Sequence, residues 1–159
     1  MAKGDSGASA HFVRPMDAAI LTNIDLRPGP TVHQPDATPL KAMGTGQLPL
    51  SSKLSNKAQQ GLIVPNLQSS SLVAMGPLCD DGCHVVLSKD KLSVVKDGEI
   101  ILRGTRNKQD DLWDIPLHKN VLSHDNYKTP KTHPALYLAD MNKKRTSPPT
   151  PEREQIKPV

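Results

Sequence analysis

Between residues 83 and 117 the chain alternates short β-rich runs with tight polar turns. That alternation most constrains what it can fold into. Cys83-His84-Val85-Val86-Leu87 and Leu92-Ser93-Val94-Val95-Lys96 flank the turn Ser88-Lys89-Asp90-Lys91. Asp97-Gly98 then precedes Glu99-Ile100-Ile101-Leu102-Arg103. An Asp-Gly pair between two such runs predicts a tight hairpin, because its turn positions tolerate positive φ. After Gly104 and a polar loop, Leu112-Trp113-Asp114-Ile115-Pro116-Leu117 closes a meander. No apolar pattern of helical period runs longer than two turns anywhere, so the predicted class is all-β.

The residues before the meander fit that class. Residues 61–67 read as a strand ended by proline, and 71–76 as a second apolar run ending at Gly76. Pro77 suits a first helical turn and Gly82 a stop, which predicts a short helix over 77–81. Residues 17–21 allow one helical turn within a stretch, 11–34, that Pro15, Pro28, Gly29 and Pro30 cut into extended pieces. Residues 35–50 resemble a mobile hairpin, with a turn starting at Pro35-Asp36 and glycines at 44 and 46; an ordinary glycine-containing loop fits the composition as well. Residues 51–58 read as polar loop. From His118 onward Lys, His, Thr and Pro dominate, so 118–159 is expected to be mostly disordered, with one short helix over 134–142.

Composition narrows the function classes. Aromatic residues are 3% of the chain and prolines number 15, which suits a small folded region with poorly ordered flanks. The net charge of +4 has one basic cluster, Lys143-Lys144-Arg145, and no aromatic platform beside it, which argues against nucleic-acid binding. No run of about 18 apolar residues and no apolar signal core occurs. Two cysteines make no disulfide framework. The expected setting is intracellular and reducing, in the cytoplasm or the nucleus. Cys79, Cys83 and His84 lack a fourth ligand at zinc spacing, so no metal and no other cofactor is expected. No phosphate-binding glycine loop or Ser-His-Asp order is present.

The stretch with chemical content is Asp5-Ser6-Gly7-Ala8-Ser9, an aspartate at a turn of small residues. Two neighbouring carboxylates can hydrolyse a peptide bond: they cannot both ionise, so one serves as acid while the other activates water. The chain has one Asp-Ser/Thr-Gly, and Asp17, Asp25 and Asp36 read as solvated turn residues. By spacing alone, Ser6 fits equally a support for the turn or a simple cap. Only four residues precede Asp5, which barely supply a strand to lead into the turn.

With these motifs placed, the chain resembles a retropepsin, and more narrowly the protease region of copia-type retrotransposon polyproteins. Residues 5–12, Asp-Ser-Gly-Ala-Ser-Ala-His-Phe, are similar to the family's catalytic motif. Residues 61–83, from Gly61-Leu62-Ile63-Val64-Pro65 to Cys79-Asp80-Asp81-Gly82-Cys83, resemble its later apolar stretch. Residues 97–106 and 112–117 resemble the segment that follows. The resemblance covers residues 5–117, a piece of such a polyprotein without its polymerase and integrase parts. It implies a retropepsin-like β-barrel half over 1–88, a meander over 89–117 that completes or follows it, and a disordered tail over 118–159. It implies a homodimer in which each copy gives one catalytic Asp5, with Ser6, Gly7 and Ala8 supporting the turn. Met43, Gly44, Thr45 and Gly46 would form the flap, and Leu72, Val73 and Gly76 would pack beneath the turn. The substrate would be polypeptide. An inactive, self-associating or peptide-binding fragment is the alternative.

Overall fold

A computed structural model describes residues 1–67 and 70–117, which form an all-β arrangement of short strands. The meander is as regular as its sequence. Strands β9 (His84–Leu87), β10 (Lys91–Lys96) and β11 (Glu99–Arg106) pair antiparallel in turn. Asp97 and Gly98 both take positive φ, 50° and 79°, the combination that matches a hairpin turn to strand twist. Strand β12 (Trp113–Ile115) pairs with β11 and also with β1 (Ala2–Asp5), so the meander returns to the start of the chain.

That return explains β1. Four residues before the turn looked too few for a lead-in strand, yet Ala2–Asp5 forms one because partners occupy both its sides. β12 pairs antiparallel, Ala2 opposite Ile115. β8 (Leu72–Ala74) pairs parallel, with Lys3 beside Leu72 and Asp5 beside Ala74. A strand bonded on both sides satisfies its backbone without needing length. Ala2 is fully buried, and the Lys3 ammonium lies 2.6 Å from both Asp110 and Asp114.

Strand β8 also pairs antiparallel with β2 (His11–Val13), which runs parallel to β7 (Gln60–Ile63). Beyond β7 come β6 (Gly44–Gln47) and, at the edge, β3 (Thr22–Asp25). The ten-stranded order is β3-β6-β7-β2-β8-β1-β12-β11-β10-β9.

This order corrects the flap expected at Met43, Gly44, Thr45 and Gly46. These residues belong to or adjoin an interior strand. The Met43 amide donates to the Ile63 carbonyl, and Met43, Gly44 and Gly46 are buried. A Cβ on Gly44 would lie 2.5 Å from the backbone oxygen of Asp25, so glycine there allows close strand approach rather than mobility. The hairpin lies earlier, in β4 (Thr31–His33) and β5 (Pro39–Lys41). Its turn holds Pro35-Asp36, as expected, and is closed by the Gln34 amide on the Thr38 carbonyl and the Thr38 amide on Asp36 Oδ1.

The helical pieces are single turns or little more. Residues 15–20 form a 3₁₀ turn, matching the turn expected near 17–21. α2 (Met75–Asp80) matches the helix expected near 77–81 and stops before Gly82, at φ 82°. The polar loop expected over 51–58 is partly helical instead. Ser55 caps α1 (Asn56–Gln59), accepting from the Ala58 amide at 3.2 Å, while Leu54 and Ala58 turn inward.

One cluster of buried apolar residues runs through the sheet, joining Val13, Leu48, Ile63, Val73 and Leu78 to Leu92, Val94, Leu102 and Ile115. The meander over 89–117 therefore completes the same core as residues 1–88. A smaller cluster, Leu40, Ala42 and Val64 with Phe12, Val32 and Leu62, seats the β4–β5 hairpin on β2 and β7. Among the described residues, no helix is long and apolar enough to cross a membrane. The expected tail over 118–159 and its helix over 134–142 lie outside the described residues.

Candidate active site

Asp5 is the last residue of β1, where the sheet gives way to a turn. Its carboxylate Oδ1 accepts the Gly7 amide at 2.7 Å, a side chain closing its own turn two residues on. Ser6 and Gly7 are exposed, while Asp5 and Ala8 are half-buried. The Ser6 hydroxyl has no hydrogen-bond partner among the described residues, so the carboxylate shapes the turn. A Cβ on Gly7 would meet only Asp5 Oδ1, at 3.4 Å, so the fold of one copy does not require glycine there.

The floor of the site is closely packed. A Cβ on Gly4 would lie 3.0 Å from Leu92 Cδ1, 3.3 Å from Ile115 Cδ1 and 3.5 Å from Met75 Cε. Glycine thus lets the strand bearing Asp5 press onto the core. Val73, fully buried, stands beside Gly4, and Leu72 lies between Lys3 and Phe12. These two expected support residues adjoin β1. Gly76 does not: a Cβ there would meet nothing within 4 Å.

Sequence reasoning missed what His11 does. Its side chain is fully buried, and both ring nitrogens are engaged. The Ala74 amide donates to Nδ1 at 2.9 Å, so Nε2 carries the proton and donates to the Ala58 carbonyl at 2.7 Å. Ala74 is the residue paired with Asp5. The imidazole thus ties α1 to the strand that flanks the aspartate. Burial pushes the His11 pKa down, only partly opposed by the bond to Ala58, and keeps the ring neutral. A histidine six residues after Asp5 is visible in the sequence, but nothing local signals that its partners lie 47 and 63 residues away.

Asp17 is likewise more than a solvated turn residue. It is half-buried, and its Oδ2 accepts Ser71 Oγ at 2.6 Å and Arg14 Nε at 2.8 Å. Burial opposes the charge, but these two bonds outweigh it and hold the carboxyl below its usual range. Ser71, itself fully buried, accepts the Arg14 amide. Asp36 is an exposed turn residue, as expected, and accepts the Thr38 amide; Asp25 instead ends β3, half-buried, with its carboxylate bonded to Arg27.

The structure does not bring residues 43–46 to Asp5: β7, β2 and β8 stand between β6 and β1. Thr45 and Gly46 instead line a cleft of about 330 Å³ with Asn23, Gln47, Asn56, Lys57 and Gln60. Cys79 is exposed and Cys83 buried, both as free thiols, and burial raises the Cys83 pKa. Among the described residues, no three His, Cys, Asp or Glu side chains are grouped to hold a metal ion. In comparisons with protein families, curated proteins and solved structures, the chain has no match.

Proposed function

We propose that the chain is an aspartic endopeptidase of retroelement type. Two copies meet about a twofold axis at the Asp5 turns, and each supplies one carboxylate. The observation that carries this reading is the Asp5 turn itself. One carboxylate is held at the end of a strand flanked on both sides, over a packed floor, with Ser6 and Gly7 exposed beside it. The resemblance of residues 5–12 and 61–83 to copia-type protease regions, and of 97–106 and 112–117 to the segment that follows, supports it.

In the dimer the ionised Asp5 takes a proton from water as that water attacks the peptide carbonyl. The partner's Asp5, kept protonated by its neighbour's charge, donates to the carbonyl oxygen. Gly7 has room to spare within one copy, and the missing side chain leaves space for the opposing turn. In this reading the flap is the β4–β5 hairpin, whose residues 35–38 are exposed at its tip, rather than residues 43–46, which sit at or in an interior strand.

The test is cleavage of unstructured polypeptide, followed by mass spectrometry. Wild type cuts, transition-state mimics of the pepstatin type block it, and Asp5→Asn abolishes it while staying folded. Equal cleavage by wild type and Asp5→Asn overturns the reading. A folded dimer that never cuts supports the peptide-binding module instead.

A further inference from the structure

The main sheet ends on β3 at one side and β9 at the other, and the two edges are built differently. β3 is broken by a register shift between Thr22 and Asp25, its Asn23 takes φ 49°, and Asp25 is paired with Arg27. A bulge and fixed charges obstruct the addition of another strand. β9 has none of these. His84-Val85-Val86-Leu87 keeps continuous register with β10, from Leu92 opposite Leu87 to Val95 opposite His84. It contains no proline, Lys, Arg, Asp or Glu. Among the described residues, no strand pairs with its outer side.

Two apolar side chains of β9 are left in solvent: Val86 is 53% exposed and Leu87 42%. Successive residues of a strand point to opposite faces. Leu87 stands opposite the buried Leu92, on the core face, and Val86 opposite Ser93, on the other. A partner lying on one face would cover only one of them. A strand added along the edge flanks both. On the Val86 face the apolar surface continues across Val95 to Ile100, 47% exposed.

Charge at the strand ends selects the partner. Asp80 and Asp81 precede β9; Lys89, Asp90 and Lys91 follow it and leave that end net positive. Asp81 is paired with Lys96, while Asp80, Lys89, Asp90 and Lys91 are exposed. Two β9 strands pairing antiparallel about a twofold axis direct each lysine end toward the other copy's acidic end, twice over. A parallel pairing would set like charges together. We propose that β9 is a self-association edge, through which two copies of this chain join antiparallel along residues 84–87 into one continuous sheet. This contact is separate from the one proposed at Asp5, since β12, β11 and β10 lie between β1 and β9. It does not depend on proteolysis.

Sedimentation velocity of the full chain over a range of concentrations tests it. Wild type should associate, more weakly as salt rises. Val86→Lys and Leu87→Lys put charge into an already exposed position of the edge, so folding is kept and the β9 step is lost. Ile100→Lys, on the same face but two strands inward, should leave that step intact. The β9 amides should exchange hydrogen more slowly as wild-type concentration rises, and at a constant rate in Val86→Lys. A dimer that persists in Val86→Lys, fails to protect β9 and retains cleavage belongs to the Asp5 contact. The proposal is overturned by wild type that stays monomeric, by unchanged association in both β9 variants, or by equal disruption from Ile100→Lys, which would mark docking on the face.

Discussion

Replacing His11 tests how far the Asp5 strand depends on a residue that never reaches the surface. His11→Leu keeps an apolar side chain of similar bulk and removes both ring nitrogens. The Ala74 amide and the Ala58 carbonyl then lose their partners in a buried place. An unsatisfied buried polar group costs about 1–3 kcal/mol, so the pair costs about 2–6 kcal/mol. That is a large part of the roughly 5–15 kcal/mol stabilising an ordinary domain. Two further variants divide the loss. His11→Asn places an oxygen near the position of Nδ1 and keeps the Ala74 bond; His11→Gln places an amide near Nε2 and keeps the Ala58 bond. Each should recover about half.

Urea unfolding at pH 7.5 measures all three, and the same experiment down to pH 5 adds a second signature. The folded pKa of His11 lies below that of the unfolded chain. Its stabilising contribution is therefore full above about pH 6.5 and falls as pH drops below that value, by at most about 1.4 kcal/mol per pH unit. His11→Leu should lack this slope. A His11→Leu protein within about 0.5 kcal/mol of wild type would refute the reasoning, since a change that small is typical of surface substitutions. So would a wild-type stability that stays level from pH 7.5 to 5.

Two other perturbations follow from the structure. Gly44→Ala drives a Cβ against the Asp25 backbone, which cannot rotate away, and should destabilise by about 1–3 kcal/mol; thermal unfolding with an unchanged melting temperature would contradict it. Asp81 accepts from Lys96 and Ser55, which pull its pKa down to about 2. Its contribution is present above about pH 4 and lost as pH falls toward 2, so Asp81→Asn should flatten the acid limb of a stability profile in that window.

Legibility from the sequence differed between regions for physical reasons. The meander was legible because its signals are local: Asp97-Gly98 carries its own turn geometry, and the flanking runs carry their own strand preference. Gly82 stopped α2 for the same kind of reason. Residues 43–46 misled because glycine is ambiguous. In β6 the glycines occupy the buried positions of a period-two pattern, where an apolar side chain would be expected, and the nearness of β3 and its flanking Leu21 and Leu26 explains their lack of one. The lead-in strand was undervalued because its support comes from residues 72–74 and 113–115, far along the chain. α1 is a single capped turn, too short to show a period. Asp5 could be singled out by its motif, whereas the roles of His11 and Asp17 depend on partners that only folding brings near.

The central claim is that catalysis needs an Asp5 from each of two copies. Mixing wild type with Asp5→Asn, refolded together at constant total protein and at a concentration that saturates dimer formation, measures this directly. If one aspartate per dimer is insufficient, an equal mixture forms active pairs about a quarter of the time, and the initial rate of peptide cleavage falls to about one quarter of the wild-type rate. A rate of about one half would mean that each copy acts alone, and would contradict the shared dyad.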